Sequence, residues 1–257
     1  MRVALAVEYD GHAYCGWQRQ PHSVSVQAAV EAALSQIADE PITVHCSGRT
    51  DTGVHAHAQI IHFDTQAKRE ITAWTFGANS VLPPDVSVHW AKVMPEDFHA
   101  RFSADARSYR YTILNRPSRP GLDANRLSWQ RDPLDHERMH AAAQCLLGEH
   151  DFSSFRSSEC QANHPIRVMH ELRVHRLADR VVIELTANGF LHNMVRVIAG
   201  SLMAIGKDDK PVEWLHELLQ AKDRTQAAMT ASPKGLCFIQ AHYPKRFEVP
   251  TFHHSSA

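Results

Sequence analysis

The sequence predicts an α+β protein made of two related halves, each a mostly antiparallel β-sheet backed by helices. The same element order, β-α-β-β-α-β, occurs twice along the chain, and the predicted strands and helices each have one apolar face. With 257 residues, the chain is long enough for two cores of ordinary size. We place the halves at residues 1–104 and 105–245, with a tail at 246–257. We expect the ligand-binding, active-site cleft to lie between the halves.

The first half opens with a strand at residues 3–9, where apolar residues occupy every second position. An amphipathic helix follows at 26–37, for which Ser25 is the predicted N-cap. The remaining elements of this half are a strand at 42–46, a short apolar run at 60–63, a helix at 72–81 and a strand at 86–93.

The second half repeats this order with longer helices. A strand at 108–114 leads to a helix at 139–147, which Gly148 closes. Apolar periodicity then predicts two adjacent strands at 168–174 and 181–186, helices at 189–205 and 214–219, and a last strand at 236–243.

Composition limits the possible classes of protein. Basic and acidic residues number 27 and 28, so a surface that binds phosphates has to be local. The five cysteines are widely spaced and form no Cys-x-x-Cys pattern, which predicts neither a disulfide framework nor a zinc-thiolate site and favours a reducing cytoplasm. No apolar run approaches the roughly 18 to 20 residues that span a bilayer, so we expect a soluble, unprocessed protein.

The segment at residues 47–59 has a composition unsuited to a core, since charged and hydroxylated residues crowd between two short strands. Gly48 and Gly53 allow the backbone to turn on either side of Arg49 and Asp51. One interpretation is a polar turn with a surface ion pair. The other is a loop that presents a reactive carboxylate.

The one sustained basic stretch runs from residue 98 to 131, where seven arginines meet two aspartates. Within it, Tyr109 and Tyr111 lie two apart on one predicted strand, beside Arg107 and Arg110. Such a pattern suits a surface that stacks a base and neutralises its phosphate. It equally suits two core tyrosines on a strand with solvated arginines.

The run Gly-Arg-Thr-Asp-Thr-Gly-Val-His-Ala, residues 48–56, resembles the catalytic motif of tRNA pseudouridine synthases of the TruA type. Further segments resemble the same family, so the resemblance covers nearly the whole of residues 3–243 and implies the pseudouridine synthase fold. These segments are Gly-Trp-Gln-Arg-Gln at 16–20, Arg-Ser-Tyr-Arg-Tyr at 107–111, Asp-Phe-Ser-Ser-Phe at 151–155, Asn-Gly-Phe-Leu-His-Asn-Met-Val-Arg at 188–196 and Ala-Ser-Pro-Lys-Gly-Leu at 231–236.

The resemblance implies roles for individual residues. Asp51 would be the nucleophile, Arg196 its ionic partner, Tyr109 the residue that packs on the target base, and Leu236 part of the base pocket. From the residues alone, Arg196 is a cation on a mostly apolar helix that needs a partner, or an exposed residue at its edge. We add Arg49, Arg107 and Arg110 as predicted RNA contacts. Trp17 in the second motif is equally interpretable as a core aromatic.

The implied reaction is the conversion of uridine to pseudouridine at positions 38, 39 and 40 in the anticodon stem-loop of tRNA, with the target base flipped out of its stack. Nothing is oxidised or hydrolysed, so no cofactor is expected. Asp51 would add to the base or the sugar, or stabilise charge as the glycosidic bond opens. The resemblance further implies a homodimer in the cytoplasm that binds tRNA and no membrane.

Two rival hypotheses remain from the residues themselves. His55 and His57, with Asp51 and His62 nearby, have the residue types of a zinc site, although short His-x-His runs arise by chance in a chain with 19 histidines. An RNA-binding module without catalysis is the second, since such sheets present aromatics to RNA. Asp51 argues against it, because a passive phosphate-binding surface gains nothing from a central carboxylate.

Overall fold

In the computed structural model, which describes residues 1–251, the chain divides into two compact units. Within the described residues, unit 1 comprises Met1–Arg107 together with residues 237–251, and unit 2 comprises Ser108–Leu236. The last strand of the chain therefore groups with the first half. Each unit is a mostly antiparallel sheet with helices, which confirms the predicted α+β class.

Unit 1 is organised around the N-terminal strand. Strand β1 (Arg2–Tyr9) lies between β3 (His55–Asp64) and β4 (Val86–Met94) and is antiparallel to both. A two-residue strand, β2 (His45–Cys46), pairs with β3. Five consecutive residues of β1, from Val3 to Val7, are fully buried, because neighbours cover both faces of this strand.

The helices of unit 1 agree with the predicted pattern. Helix α1 (Val26–Ala38) begins at the predicted N-cap, where the Ser25 hydroxyl accepts a hydrogen bond from the Ala28 N–H at 3.4 Å. Helix α2 (Phe76–Val81) is short and follows a 3₁₀ turn at Ile71–Trp74. The predicted helix at 72–81 is thus divided between two helical turns.

Unit 2 contains five strands and three helices. The strands are β5 (Ala106–Asn115), β6 (Ser128–Gln130), β7 (Gly148–Asp151), β8 (Ile166–Leu177) and β9 (Arg180–Ala187), and the helices are α3 (His136–Ala143), α4 (Met194–Gly206) and α5 (Trp214–Ala221). Their order in the sheet is β5-β9-β8-β7, with β6 parallel to β5. The last strand, β10 (Leu236–His242), runs parallel to β3 in unit 1 through Cys237 and Phe238.

The structure differs from the prediction at several elements, among them the helix predicted at 139–147, which ends at Ala143 and is followed by a 3₁₀ turn at Gln144–Leu146. The helix predicted from 189 begins at Met194, because Asn193 adopts a left-handed conformation with φ of 62° that breaks the helical path. The strand predicted at 42–46 is reduced to β2, because the N–H groups of Ile42 and Val44 bond to side chains of α1 and not to a neighbouring strand. Strands β6 and β7 were not predicted, since three or four residues are too few for alternation to be recognised.

The predicted tail, of which residues 252–257 lie outside the described residues, begins as an ordered part of unit 1. Phe247 is only 3% exposed, and its ring lies 5.2 Å from that of Phe98. The Lys92 ammonium donates to the carbonyl oxygen of Glu248 at 2.8 Å. Within residues 1–251, no helix combines the length and the apolarity needed to cross a bilayer.

Candidate active site

Asp51 lies on the loop between β2 and β3, with its side chain partly exposed, and Arg49 on the same loop is exposed. The loop ends in a tight turn in which the Val54 N–H bonds to the Asp51 carbonyl at 3.1 Å. Gly53 in this turn has φ of 76°, a conformation that favours glycine. The predicted turn around the carboxylate is therefore present.

The segment Gly11–Trp17 fixes one side of this loop through main-chain contacts. The Trp17 N–H donates to the Thr50 carbonyl at 3.0 Å, and the Gly53 N–H donates to the Tyr14 carbonyl at 3.3 Å. Gly16 has φ of 85°, and a Cβ there would lie 2.7 Å from the Thr50 oxygen. Trp17 is 1% exposed and is therefore a core aromatic, which was one of the two interpretations that the sequence allowed. The motif that contains it supports the Asp51 loop.

The other side of the loop is held by a buried glutamine that the sequence analysis missed. Gln59, fully buried on β3, accepts from the Ser47 hydroxyl at 2.5 Å and donates to the Gly48 carbonyl at 2.5 Å. Arg107 adds a further contact, because its Nε donates to the Ser47 carbonyl at 3.3 Å. An amide directly before the predicted apolar run at 60–63 was the available signal, since buried polar groups need partners.

Arg107 and Arg110 have internal partners. The remaining bonds of the Arg107 guanidinium include the carbonyls of Ala104 at 3.0 Å and Arg101 at 2.5 Å. Arg110 donates through Nε and Nη2 to one carboxylate oxygen of Glu184, at 3.1 and 2.9 Å, and both side chains are about one-third exposed. The structure thus gives Arg107 a supporting position beside Ser47, and it gives Arg110 an ion pair on the sheet of unit 2.

Tyr109 on β5 packs against an aromatic ring that the sequence analysis did not single out. The Phe190 ring meets it edge to face, with centroids 4.9 Å apart and planes at 79°. Both side chains are partly exposed. Phe190 belongs to the 188–196 motif, so its membership of that motif was the signal that was not used.

Arg196 lies in the first turn of α4 and is held by neighbours in unit 2. Its Nε donates to the Ala231 carbonyl at 2.8 Å, and its Nη1 donates to the Asn193 side chain at 2.7 Å. The Ala231 N–H returns a bond to the Arg196 carbonyl at 3.1 Å. The side chain is partly buried and fixed in direction, unlike an exposed residue at a helix edge.

Leu236 is 5% exposed and follows the 3₁₀ turn Pro233–Gly235 in the last predicted motif. Gly235 lies close to β5, since a Cβ on it would be 2.6 Å from the Thr112 carbonyl oxygen. The Tyr111 hydroxyl bonds to the Ser232 carbonyl at 2.9 Å, and burial raises the pKa of this phenol to about 12. Tyr111 is therefore a core residue, whereas Tyr109 is not.

The histidines of the rival zinc hypothesis have separate partners. His55 Nδ1 accepts from the Gly11 N–H at 3.1 Å, and His57 Nδ1 lies 3.7 Å from Glu8. His62 is 2% exposed, and its Nδ1 accepts from the Ala100 N–H at 3.1 Å. Among residues 1–251, no three His, Cys, Asp or Glu side chains are grouped so that they could hold a metal ion.

The predicted site residues are divided between the units. Arg49, Asp51 and Arg107 belong to unit 1, and Tyr109, Arg110, Arg196 and Leu236 belong to unit 2. A family model described as tRNA pseudouridine synthase matches residues 5–103 and 142–244, which include all of these positions except 107, 109 and 110. The chain belongs to this family. An RNA-binding module without catalysis is thereby excluded, because the synthases of the family isomerise uridine in tRNA to pseudouridine.

Individual members of the synthase family match the chain over nearly its full length. The tRNA pseudouridine synthase A of Hydrogenovibrio crunogenus is 57% identical over 96% of this chain and 95% of its own. The enzyme of the same name from Pseudoalteromonas atlantica is 55% identical over 97% and 95%. A chain in a solved Cbf5–Nop10–Gar1 complex covers 92% of this chain and 48% of its own at 10% identity, with a TM-score of 0.36, too low to add to the assignment.

Proposed function

We propose that this synthase forms pseudouridine at positions 38, 39 and 40 in the anticodon stem-loop of tRNA, with Asp51 as the nucleophile. The observation that carries the proposal is the construction of the 47–54 loop. Its main chain is fixed by the Gly11–Trp17 segment on one side and by Gln59 on the other, while the Asp51 side chain stays partly exposed. A reacting carboxylate requires a fixed position with access to substrate.

The reaction conserves every atom of the substrate. The bond from ribose C1′ to N1 breaks, the uracil turns, a bond from C1′ to C5 forms, the C5 proton leaves and N1 takes up a proton. Asp51 adds to the base or the sugar, or stabilises charge while the glycosidic bond is open. Electrons and atoms balance without an oxidant, a reductant or a hydrolytic water, so the proposal includes no cofactor.

Residues of unit 2 serve the target base in this proposal. Tyr109 packs on the uracil and is the nearest candidate for moving the C5 proton, with Phe190 fixing its ring. Leu236 lines the base pocket. Arg196 pairs with Asp51 and keeps the carboxylate ionised, because an opposite charge within a few Å favours the charged form. The bonds of Arg196 to Ala231 and Asn193 support this role by fixing its direction.

The target base must leave its stack, at a cost of a few kcal/mol. Arg49, exposed two positions before Asp51, holds the flipped strand. Arg110 contacts the RNA backbone by exchanging Glu184 for a phosphate, which its partial exposure allows. Arg107 approaches the backbone while its guanidinium supports the Ser47 end of the loop.

The proposal includes a cytoplasmic homodimer. Its support is the family resemblance, together with five cysteines that are all free thiols, as expected in a reducing compartment. Light scattering on the purified protein should give twice the mass of 28.9 kDa. A monomer at the concentration of the activity assay would contradict this part of the proposal.

The test of the position assignment uses unmodified tRNA transcripts. Transcripts that keep a single uridine at position 38, 39 or 40 should each gain pseudouridine at that position, and a transcript with cytidine at all three should gain none. The reaction should persist with a chelator once the tRNA is folded. Pseudouridine elsewhere in the last transcript, or activity restored only by zinc, would contradict the proposal.

A further inference from the structure

Two loops of unit 2 are joined next to the Phe190 ring. The Ser157 N–H donates to the His192 carbonyl at 3.1 Å, and the His192 N–H donates to the Cys160 sulfur at 3.4 Å. At the far end of the first loop, the Val168 N–H donates to the Asn188 side chain at 3.0 Å. The segments 156–168 and 188–193 therefore form one connected surface, which we call the double loop.

Arg156 and Arg167 are the cations of the double loop, and both are partly buried. Arg156 donates to the Cys160 carbonyl at 2.7 Å. Arg167 donates to the carbonyls of Ile166 and His164, at 2.6 and 3.1 Å, and lies 3.4 Å from the His164 ring. In the part of the chain that the structure describes, neither guanidinium forms an ion pair with an Asp or Glu side chain.

The two cations are held by the same loop segment, Arg156 through the Cys160 carbonyl and Arg167 through the carbonyls of His164 and Ile166. Burial lowers the pKa of the Arg167 guanidinium, and the charge of Arg156 adds to that lowering, while Cys160 acts in the opposite sense. Two like charges held together without a carboxylate repel each other, and the repulsion is relieved when an anion binds between them. Arg110, by contrast, is already neutralised by Glu184.

The position of this cation pair relates it to the proposed base contact. A Cβ at Gly189 would lie 3.4 Å from the Nε of Arg167, and the next residue, Phe190, packs on Tyr109. A nucleotide whose base contacts Tyr109 would bring its backbone near the double loop. The ligand chemistry that suits two guanidinium groups there is a phosphodiester, which accepts charge-assisted hydrogen bonds.

We propose that Arg156 and Arg167 together bind one backbone phosphate of the tRNA, beside the nucleotide whose base packs on Tyr109. This inference rests on the proposed function only for the role of Tyr109. It assigns to the double loop a phosphate contact separate from those proposed for Arg107 and Arg110, whose guanidinium groups have partners within the protein.

The test measures the affinity of an unmodified tRNA transcript at several salt concentrations. Arg156→Gln combined with Arg167→Gln should weaken binding roughly tenfold at moderate salt. The slope of log affinity against log salt should fall by about 1, since one phosphate contact is lost. Lysine at both positions should keep most of the slope. Arg173→Gln, which removes one guanidinium charge from an exposed position on β8, is the control for loss of charge elsewhere on unit 2 and should leave both quantities unchanged.

Ethylation of single tRNA phosphates then locates the contact. Ethylation beside the target uridine should weaken binding to the wild-type protein but not to the double glutamine variant. A double variant with the wild-type salt slope would overturn the phosphate contact, and so would weaker binding with an unchanged slope, which indicates a distorted loop. An effect at a distant phosphate would overturn the placement beside Tyr109. The affinity and the salt slope do not depend on the role of Asp51 or on which uridine is modified. The ethylation result is compared with whichever uridine the position assay identifies as the target.

Discussion

The Asp51 loop of unit 1 and the Asn188–Arg196 segment of unit 2 carry the two longest motifs, but they are held in different ways. The first loop is held by groups outside it, through main-chain bonds to the Gly11–Trp17 segment, the close contact of Gly16 and the buried side chain of Gln59. Side chains fix the second, through Asn188, Phe190 and Arg196. Under the proposed function, the loop of unit 1 positions the reacting carboxylate, and the side chains of the unit 2 segment act on the target base and on Asp51.

The largest effect is expected for Asp51→Asn, which tests the role of unit 1. The amide cannot act as the nucleophile, so pseudouridine formation should fall by roughly 10⁴-fold or more. The tRNA affinity should stay within a few-fold, since the carboxylate serves the chemical step. Single-turnover kinetics and equilibrium binding separate the two quantities. Measurable turnover near the wild-type rate would remove Asp51 from its role.

Arg196→Met tests whether unit 2 contributes to the chemical step or only to tRNA binding. We expect the single-turnover rate to fall about 100-fold, because the methionine keeps much of the apolar length but removes the charge proposed to orient Asp51. Arg196→Lys should restore only part of the rate, because an ammonium lacks the planar two-point contact. A methionine variant with a normal rate would show that the charge of Arg196 does not orient Asp51.

Gly16→Ala tests how the Asp51 loop is held, because it changes only the main-chain support of that loop and leaves the 188–196 segment intact. A left-handed conformation and a Cβ 2.7 Å from the Thr50 oxygen force the loop to move. We expect the single-turnover rate to fall about tenfold, with tRNA affinity little changed. Gly121→Ala is the matched control, since a Cβ there meets no atom within 4 Å. Equal rates for the two variants would argue against a rigid loop.

The stability of unit 1 should depend on pH through His62. Burial first, and the neighbouring histidines His99 and His45 next, lower its pKa to about 3. In the unfolded chain His62 is protonated below about pH 6.5, whereas in the folded protein it stays neutral until about pH 3. The free energy of unfolding should therefore fall as the pH drops from about 6.5 towards 3. The limit for one group is about 1.4 kcal/mol per pH unit.

Urea unfolding between pH 7 and 4 measures this dependence. His62→Gln should flatten it, although His99, whose pKa is also lowered by burial, keeps part of the slope. His12→Gln changes an exposed histidine and should retain the full dependence. A His62→Gln variant with the wild-type pH dependence would exclude His62 as its source.

The smallest effects are expected for Arg107 and Arg110 of the basic stretch, and the two substitutions should affect different quantities. Arg110→Gln should lower the salt slope of tRNA binding by about 1 at most, since it removes a predicted phosphate contact. Arg107→Gln removes bonds to three carbonyls and should lower the free energy of unfolding by about 1 to 2 kcal/mol. Equal stability of the two variants would show that Arg107 does not support the loop.

Much of the fold was predictable because periodicity reports which face of an element is buried. The strand at the N-terminus, the helix capped by Ser25 and the turn at Gly53 follow from local sequence. The helix start at Met194 was not predictable, because asparagine tolerates the left-handed conformation without requiring it, so Asn193 does not mark a helix start in the sequence.

The sequence by itself determined the family, through nine consecutive residues around Asp51, and the α+β class, through apolar periodicity. Only the tertiary structure decided which partner each arginine contacts. Arg107 bonds to Ser47, which is 60 residues away in the sequence, and Arg110 bonds to Glu184, which is 74 residues away. Arg156 and Arg167 contact no carboxylate within the described chain. The sequence near an arginine does not show which group its guanidinium will contact. The function of the guanidinium depends on the partner that a distant segment supplies, and folding alone sets that partner.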